Sequence, residues 1–261
     1  MELTVRPQSP LVESGSFVTG AEAEVIHVRW LPMREMTGPA MARCLTLLDP
    51  DERARAGRFV FEEDRSAFIA AHALARVMLG ALGRRDPASW RYVAGQHGKP
   101  EVAPWPGPAG LRFSLSHART CVACVVGWNT DLGIDVEAER PQLSPVDLAD
   151  RFFAPAEAAI IRAAPPLQTR AFFLALWTLK EAFIKATGEG LTRSLSSFSF
   201  SLSPPAITLE AGESDAPNWH FLQFRTEANH FIAVAARSPT ARAVRFDARP
   251  AQPSELAVLA E

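Results

Sequence analysis

The sequence predicts an α+β fold of two similar lobes, each a long helix packed on a small antiparallel sheet. Three observations carry this expectation. The chain describes one order of elements twice: an Arg-Phe phrase, a long helical run closed by glycine, then short β-prone runs. The helical runs and the β-prone runs separate by their periods, 3.6 against 2. At 261 residues the chain can bury a substantial core, as one large domain or two small ones.

Taken in order, residues 1–20 mix Pro, Ser, Gly and Glu without period and read as a loose tail. The N-terminal lobe is expected over 21–130. In it Arg58-Phe59 precedes a helix from Glu62 to Leu82, closed by Gly83. Strand-like Trp90–Ala94 follows, then the turn His97-Gly98-Lys99-Pro100, then β-like runs at Arg112–Ser116 and Cys121–Val126. Gly127-Trp128-Asn129-Thr130-Asp131 reads as a hairpin turn into Leu132–Glu137. The C-terminal lobe is expected over 131–241. There Arg151-Phe152-Phe153 precedes a helix that Pro155 can start, and a longer helix over Leu167–Ala186 is closed by Gly188. Strands are expected at Phe198–Leu202, Ile207–Glu210, Trp219–Arg225 and His230–Ala236. Residues 242–261 read as a second tail.

Composition excludes several classes. Hydrophobic content of 48% with 21% charged residues is ordinary for a globular chain, and a net charge of −2 gives no general attraction to nucleic acid or an anionic membrane. Three cysteines argue against a disulfide framework and fit a reducing compartment. No secretory signal is legible, no uninterrupted apolar stretch is long enough to span a bilayer, and the cytoplasm is the expected location. Cys121 and Cys124 resemble half of a metal or redox site, but strand geometry turns them to opposite faces, and both read as small buried residues. No P-loop or Gly-x-Gly-x-x-Gly fingerprint is present.

Two phrases carry chemistry. In Gly133-Ile134-Asp135-Val136-Glu137, alternation sends Ile134 and Val136 into a core and puts Asp135 and Glu137 together on the other face. Paired carboxylates repel unless a cation or solvent neutralises them, so the phrase is either a cation site or the acidic outer face of an edge strand. In Trp177-Thr178-Leu179-Lys180-Glu181-Ala182-Phe183-Ile184-Lys185, Phe172, Leu176, Leu179 and Phe183 form one apolar stripe. Trp177, Glu181 and Lys185 share the opposite face. A surface Glu-Lys pair at this spacing is worth only about 0.3–0.5 kcal/mol, but the tryptophan beside it implies a helix covered on both sides. If the two phrases meet, three carboxylates and an ammonium form a place for a hard divalent cation and a phosphate ester. Phe113-Ser114-Leu115-Ser116-His117 offers hydroxyls and an imidazole to phosphate oxygens, or is simply an exposed strand end. Gly98-Lys99-Pro100 is a turn with one positive charge, and Arg53, Arg55 and Arg58 lie in a mixed-charge helix that solvent alone would explain.

Gly98-Lys99-Pro100, Phe113–His117, Gly133–Glu137 and Trp177–Lys185, in this order, resemble the 4′-phosphopantetheinyl transferase superfamily. The likeness is to its larger, single-chain, pseudo-duplicated, surfactin-synthetase-activating (Sfp-like) branch, and it runs from about residue 24 to residue 236. The resemblance implies two pseudo-symmetric lobes with the active site in the cleft between them. It implies transfer of phosphopantetheine from coenzyme A to a serine of an apo acyl or peptidyl carrier protein, with Mg²⁺, releasing 3′,5′-ADP. The carriers would be domains of polyketide, nonribosomal peptide or fatty-acid synthases, with no nucleic acid or membrane partner, and the enzyme a monomer. By the same resemblance Asp135, Glu137 and Glu181 hold the metal, Lys185 neutralises the pyrophosphate, and Asp135, Glu181 and Lys185 carry catalysis. Coenzyme A contacts are implied at Gly98, Lys99, Ser114, Ser116, His117, Asp135 and Lys185. Arg55, chosen over Arg53, joins Lys99, Ser116 and His117 at the 3′-phosphate. Glu181 is the candidate base for the serine hydroxyl, and carrier selectivity is expected within Pro141–Ala164. A Mg²⁺-dependent phosphoesterase and a non-catalytic coenzyme A- or carrier-binding protein use the same residues and stand as alternatives.

Overall fold

A computed structural model describes residues 23–139, 144–209, 215–238 and 242–256, leaving aside the side chains of Gln96 and Leu191. The expected tail at 1–20 lies outside them, as do residues 141–143 of the segment expected to set carrier selectivity.

The first half runs β1 (Glu24–Pro32), α1 (Gly38–Leu47), α2 (Pro50–Ala56), α3 (Glu62–Gly83), β2 (Tyr92–Ala94), β3 (Pro100–Val102), β4 (Leu111–Ala118) and β5 (Cys121–Trp128). The second half repeats that order: β6 (Asp131–Glu137), α4 (Pro145–Phe152), α5 (Pro155–Ala163), α6 (Pro166–Thr187), β7 (Ser199–Leu202), β8 (Pro205–Thr208), β9 (Trp219–Arg225) and β10 (Phe231–Arg237). Strand order repeats too. β1-β5-β4 in one sheet matches β6-β10-β9 in the other, and each half adds a two-stranded ribbon, β2-β3 or β7-β8. The two-lobed α+β expectation therefore holds at the level of topology.

The sheets pack face to face, with a long helix on each outer side. Along β5, Cys121, Ala123 and Val125 face the second sheet, while Val122, Cys124 and Val126 face α3. Both cysteines are free and buried, as expected. Along β6, Leu132, Ile134 and Val136 join the inter-sheet core, so Gly133, Asp135 and Glu137 turn toward α6. Helix α6 is buried nearly all round. Phe172, Leu176, Leu179 and Phe183 sit in the second-lobe core, and Trp177 packs on Phe153 and Phe173 at centroid distances of 6.1 and 5.6 Å. Helix α3 is long and apolar enough to cross a membrane by length and composition alone, but its sides pack mostly within the first-lobe core.

A buried ion pair ties the helices of each lobe in the same way. Glu52, third residue of α2 after Pro50, bonds back to the Asp49 amide and also accepts from Arg76 Nε of α3 at 2.8 Å. His72 Nδ1 lies 2.7 Å from the other oxygen of Glu52. Glu157, third residue of α5 after Pro155, bonds back to the Ala154 amide and pairs with Lys180 Nζ of α6 at 2.7 Å. Burial opposes the ionised Glu52 carboxyl, but the His72 hydrogen bond and the charges of His72 and Arg76 outweigh it and lower its pKa.

Two expectations fail. The expected hairpin between Cys121–Val126 and Leu132–Glu137 does not form: β5 pairs with β1 and β4, while β6 pairs with β10 in the other sheet. Asn129 at φ 51° and the Thr130 hydroxyl, donating to the Trp128 carbonyl, make the corner where the chain changes sheets. The stretch from 242 is not a patternless tail either. It supplies β11 (Val244–Pro250), which pairs in parallel with β1 and extends the first sheet at its edge. Alternation buries Ala248 while Arg245 and Arg249 are exposed, a short half-covered edge strand with a weak local signal. The mixed-charge helix expected around Arg53 and Arg55 is α2, whereas α1, α4 and β1 answer to no expectation from the sequence.

Candidate active site

The site begins at β6 because this strand rides directly on α6. A Cβ at Gly133 would overlap the Ala182 carbonyl oxygen and lie 2.5 Å from the Ala186 amide, so only glycine allows the contact. Helix α6 then ends one turn later at Gly188, whose φ of 74° is the left-handed cap conformation. Together these fix where Asp135 and Glu137 stand against Glu181 and Lys185.

Asp135 is 5% exposed. Its Oδ1 accepts from Lys185 Nζ at 2.7 Å and from Ser116 Oγ at 2.9 Å. Lys185 also donates to Ser116 Oγ at 2.9 Å and to the Ile134 carbonyl at 3.2 Å. Thus the second lobe supplies a strand carboxylate and a helix ammonium, and β4 of the first lobe supplies the hydroxyl between them. Asp135 Oδ2, on the same carboxylate, is buried without a partner among the described residues. Glu181 lines a cleft of about 300 Å³ together with Gly98, Lys99, Phe113, Leu115 and Lys185. Burial raises the pKa of Glu181, the neighbouring Asp135 charge raises it further, and Lys185 opposes both.

The remaining expected residues divide. Ser114 faces β6 and accepts from the Ile134 amide at 3.3 Å. Lys99 donates to the Leu132 carbonyl at 2.9 Å and the Ala186 carbonyl at 3.4 Å. His117 does not join Ser116, because adjacent strand residues face opposite ways. It looks toward α3, its ring 6.5 Å edge-on from Phe68, and Arg55 lies 5.4 Å over the same Phe68 ring. Partial burial first, then the charges of His72, Lys185 and Arg55, lower the His117 pKa against the pull of Asp64. Arg53 turns away, donating to the Leu45 and Thr46 carbonyls.

The residues fit a hard divalent cation, though not as a ready-made cage. Among the described residues no three Asp, Glu, His or Cys side chains gather into a metal cluster. A buried carboxylate oxygen with no donor, facing a second carboxyl whose pKa its charge raises, is nonetheless the donor set that Mg²⁺ takes when substrate oxygens and water complete its shell. The sequence reading did not include the Glu52–His72–Arg76 network, which seats α2 and with it Arg55. Its signal was the capping pattern Asp49-Pro50-Asp51-Glu52.

The chain is similar to known proteins over most of its length. The family model described as the 4′-phosphopantetheinyl transferase superfamily matches residues 131–235, which include β6 and α6. The 4′-phosphopantetheinyl transferase HetI of Nostoc sp. is 33% identical over 82% of this chain and 88% of its own length. The 4′-phosphopantetheinyl transferase Sfp of Bacillus subtilis is 27% identical, covering 76% of this chain and 85% of its own. The human L-aminoadipate-semialdehyde dehydrogenase-phosphopantetheinyl transferase is 27% identical, covering 80% and 72%.

Proposed function

The chain belongs to the 4′-phosphopantetheinyl transferase superfamily, and we propose the cleft between Asp135 and Glu181 as the place where it works. It is a transferase of the surfactin-synthetase-activating branch, moving the phosphopantetheine group of coenzyme A to a serine of a carrier protein and releasing 3′,5′-ADP. The observation that carries the site is the asymmetry of Asp135: one oxygen held by Lys185 and Ser116, the other buried and free to bind a cation.

In this reading Asp135 and Glu181, with Glu137 beside them on the β6 face, bind Mg²⁺. A cation held there would supply charge neutralisation for the coenzyme A pyrophosphate. Lys185 adds a second positive charge at the phosphoryl oxygens, where negative charge grows as the bond to 3′,5′-ADP breaks. Ser116 fixes Lys185 and Asp135 relative to each other. Glu181 takes the proton of the attacking serine hydroxyl, directly or through one water. Arg55 and His117 face the adenosine 3′-phosphate from the α3 side of β4, supported by their shared position around Phe68.

The first lobe, 21–130, and the second, 131–241, act as the two jaws of the site. The enzyme works as a cytoplasmic monomer on carrier domains of polyketide, nonribosomal peptide or fatty-acid synthases. Part of the carrier-facing surface is α4 and α5, between the two carboxylate phrases.

The test is incubation with coenzyme A, Mg²⁺ and a panel of apo carrier proteins, read by intact mass. A phosphopantetheine adduct on at least one carrier, with 3′,5′-ADP released in equal amount, is expected. Release of 3′,5′-ADP with no adduct on any carrier would replace the transferase by a phosphoesterase.

A further inference from the structure

Strand β6 is an edge strand among the described residues: on one side it pairs with β10, and on the other no described strand pairs with it. An edge leaves backbone amides and carbonyls without ladder partners, and buried ones must find partners elsewhere. Here three side chains take that place in succession. Lys99 donates to the Leu132 carbonyl, Ser114 accepts from the Ile134 amide, and Lys185 donates to the Ile134 carbonyl. Lys99 and Ser114 belong to the first lobe, β6 to the second. Lys99 makes one more link, to the Ala186 carbonyl in the last turn of α6, where the helix carries its negative pole.

We propose that Lys99 is a positioning residue that bridges the lobes, holding the edge of β6 and the C-terminus of α6 together beneath the cleft, and is not a ligand of a substrate phosphate. The inference rests on the coenzyme A reading of that cleft. An ammonium has three donors, and Lys99 spends two on carbonyls that have few other partners. Turning the ammonium to a phosphate beyond reach of its third donor would give up both carbonyls. Burial pushes its pKa down to about 8, with Asp131 and Glu101 holding it up and Arg112 opposing them. Lys99 also stands in the wall between the large cleft and a second cavity of about 100 Å³ lined by Glu101, Arg112, Asp131 and Thr187. Its removal frees the strand that carries Asp135 and Glu137 at the point where Gly133 presses on α6.

The test compares Lys99→Met and Lys99→Arg with the wild type, using coenzyme A and dephospho-coenzyme A, which lacks the 3′-phosphate. Lys99→Met is expected to lose at least about tenfold in kcat/KM with both donors by the same factor, and Lys99→Arg to recover most of it. In the absence of substrate, amide hydrogen exchange over 132–136 and 184–188 should quicken in Lys99→Met. A loss seen with coenzyme A but absent with dephospho-coenzyme A would overturn the inference, as would unchanged exchange. If Lys99→Met does not fold, Lys99→Gln, which keeps a donor, is measured in the same way. The exchange measurement needs no substrate, so it tests the bridge even if the wild type loads no carrier, a result that would sink only the transferase reading.

Discussion

Asp135 concentrates the chemistry because its two oxygens differ. Oδ1 accepts two hydrogen bonds and Oδ2 is buried without a donor among the described residues. An unmet buried polar atom costs about 1–3 kcal/mol, a cost that a bound cation would relieve. Two arginines that the sequence leaves nearly equivalent differ in their surroundings. Arg53 is occupied with the end of α1, whereas Arg55 lies over Phe68 beside His117. Arg55→Ala should therefore raise KM for coenzyme A by about tenfold, the size of a charge-assisted contact, and leave KM for dephospho-coenzyme A unchanged. Arg53→Ala should leave both unchanged. Steady-state kinetics with the two donors decides it, and equal effects of both variants would remove Arg55 from the 3′-phosphate.

At the scale of elements, the decisive contact is β6 against α6. Gly133→Ala places a methyl group into the Ala182 carbonyl, and neither backbone can yield without moving Asp135. A loss of about 1–3 kcal/mol is expected in urea unfolding, together with slower transfer. Wild-type stability would mean that the strand and helix are not so close. The pairing of Asp135 with Glu137, and the split of α6 into an apolar stripe and a functional face, were legible in the sequence, because periods of 2 and 3.6 are local properties. The sheet change at 128–131 was not. Asn129-Thr130 between two β-prone runs looks like a hairpin, and only the pairing of β6 with β10, about a hundred residues later, tells otherwise. The split of Ser116 from His117 was implicit in strand alternation, but the resemblance grouped them by motif, and the fold separates them by face.

At the scale of the molecule, the repeated order of elements was legible, since helix lengths and glycine stops mark it twice. The lobes are also built alike at their buried centres. Glu52 with Arg76 and Glu157 with Lys180 each join the third residue of a short helix to the long helix of its lobe. In the first lobe, Glu52 keeps its charge because His72 and Arg76 outweigh its burial. Strand β11 was hidden because a parallel partner far away in sequence, β1, decides its pairing. The site was legible as a set of residue types. Its wiring, with Lys99 on carbonyls and Ser116 between Lys185 and Asp135, depends on inter-lobe distances that no spacing encodes.

The central claim is that both lobes meet around Asp135 to transfer phosphopantetheine. Asp135→Asn keeps the shape of the side chain and an acceptor for Ser116 while removing the charge. Intact-mass measurement of an apo carrier, with coenzyme A and Mg²⁺, should show complete loading by the wild type. The variant, matched to it in melting temperature, should be slower by at least about a hundredfold. Loading by Asp135→Asn at the wild-type rate would contradict the account.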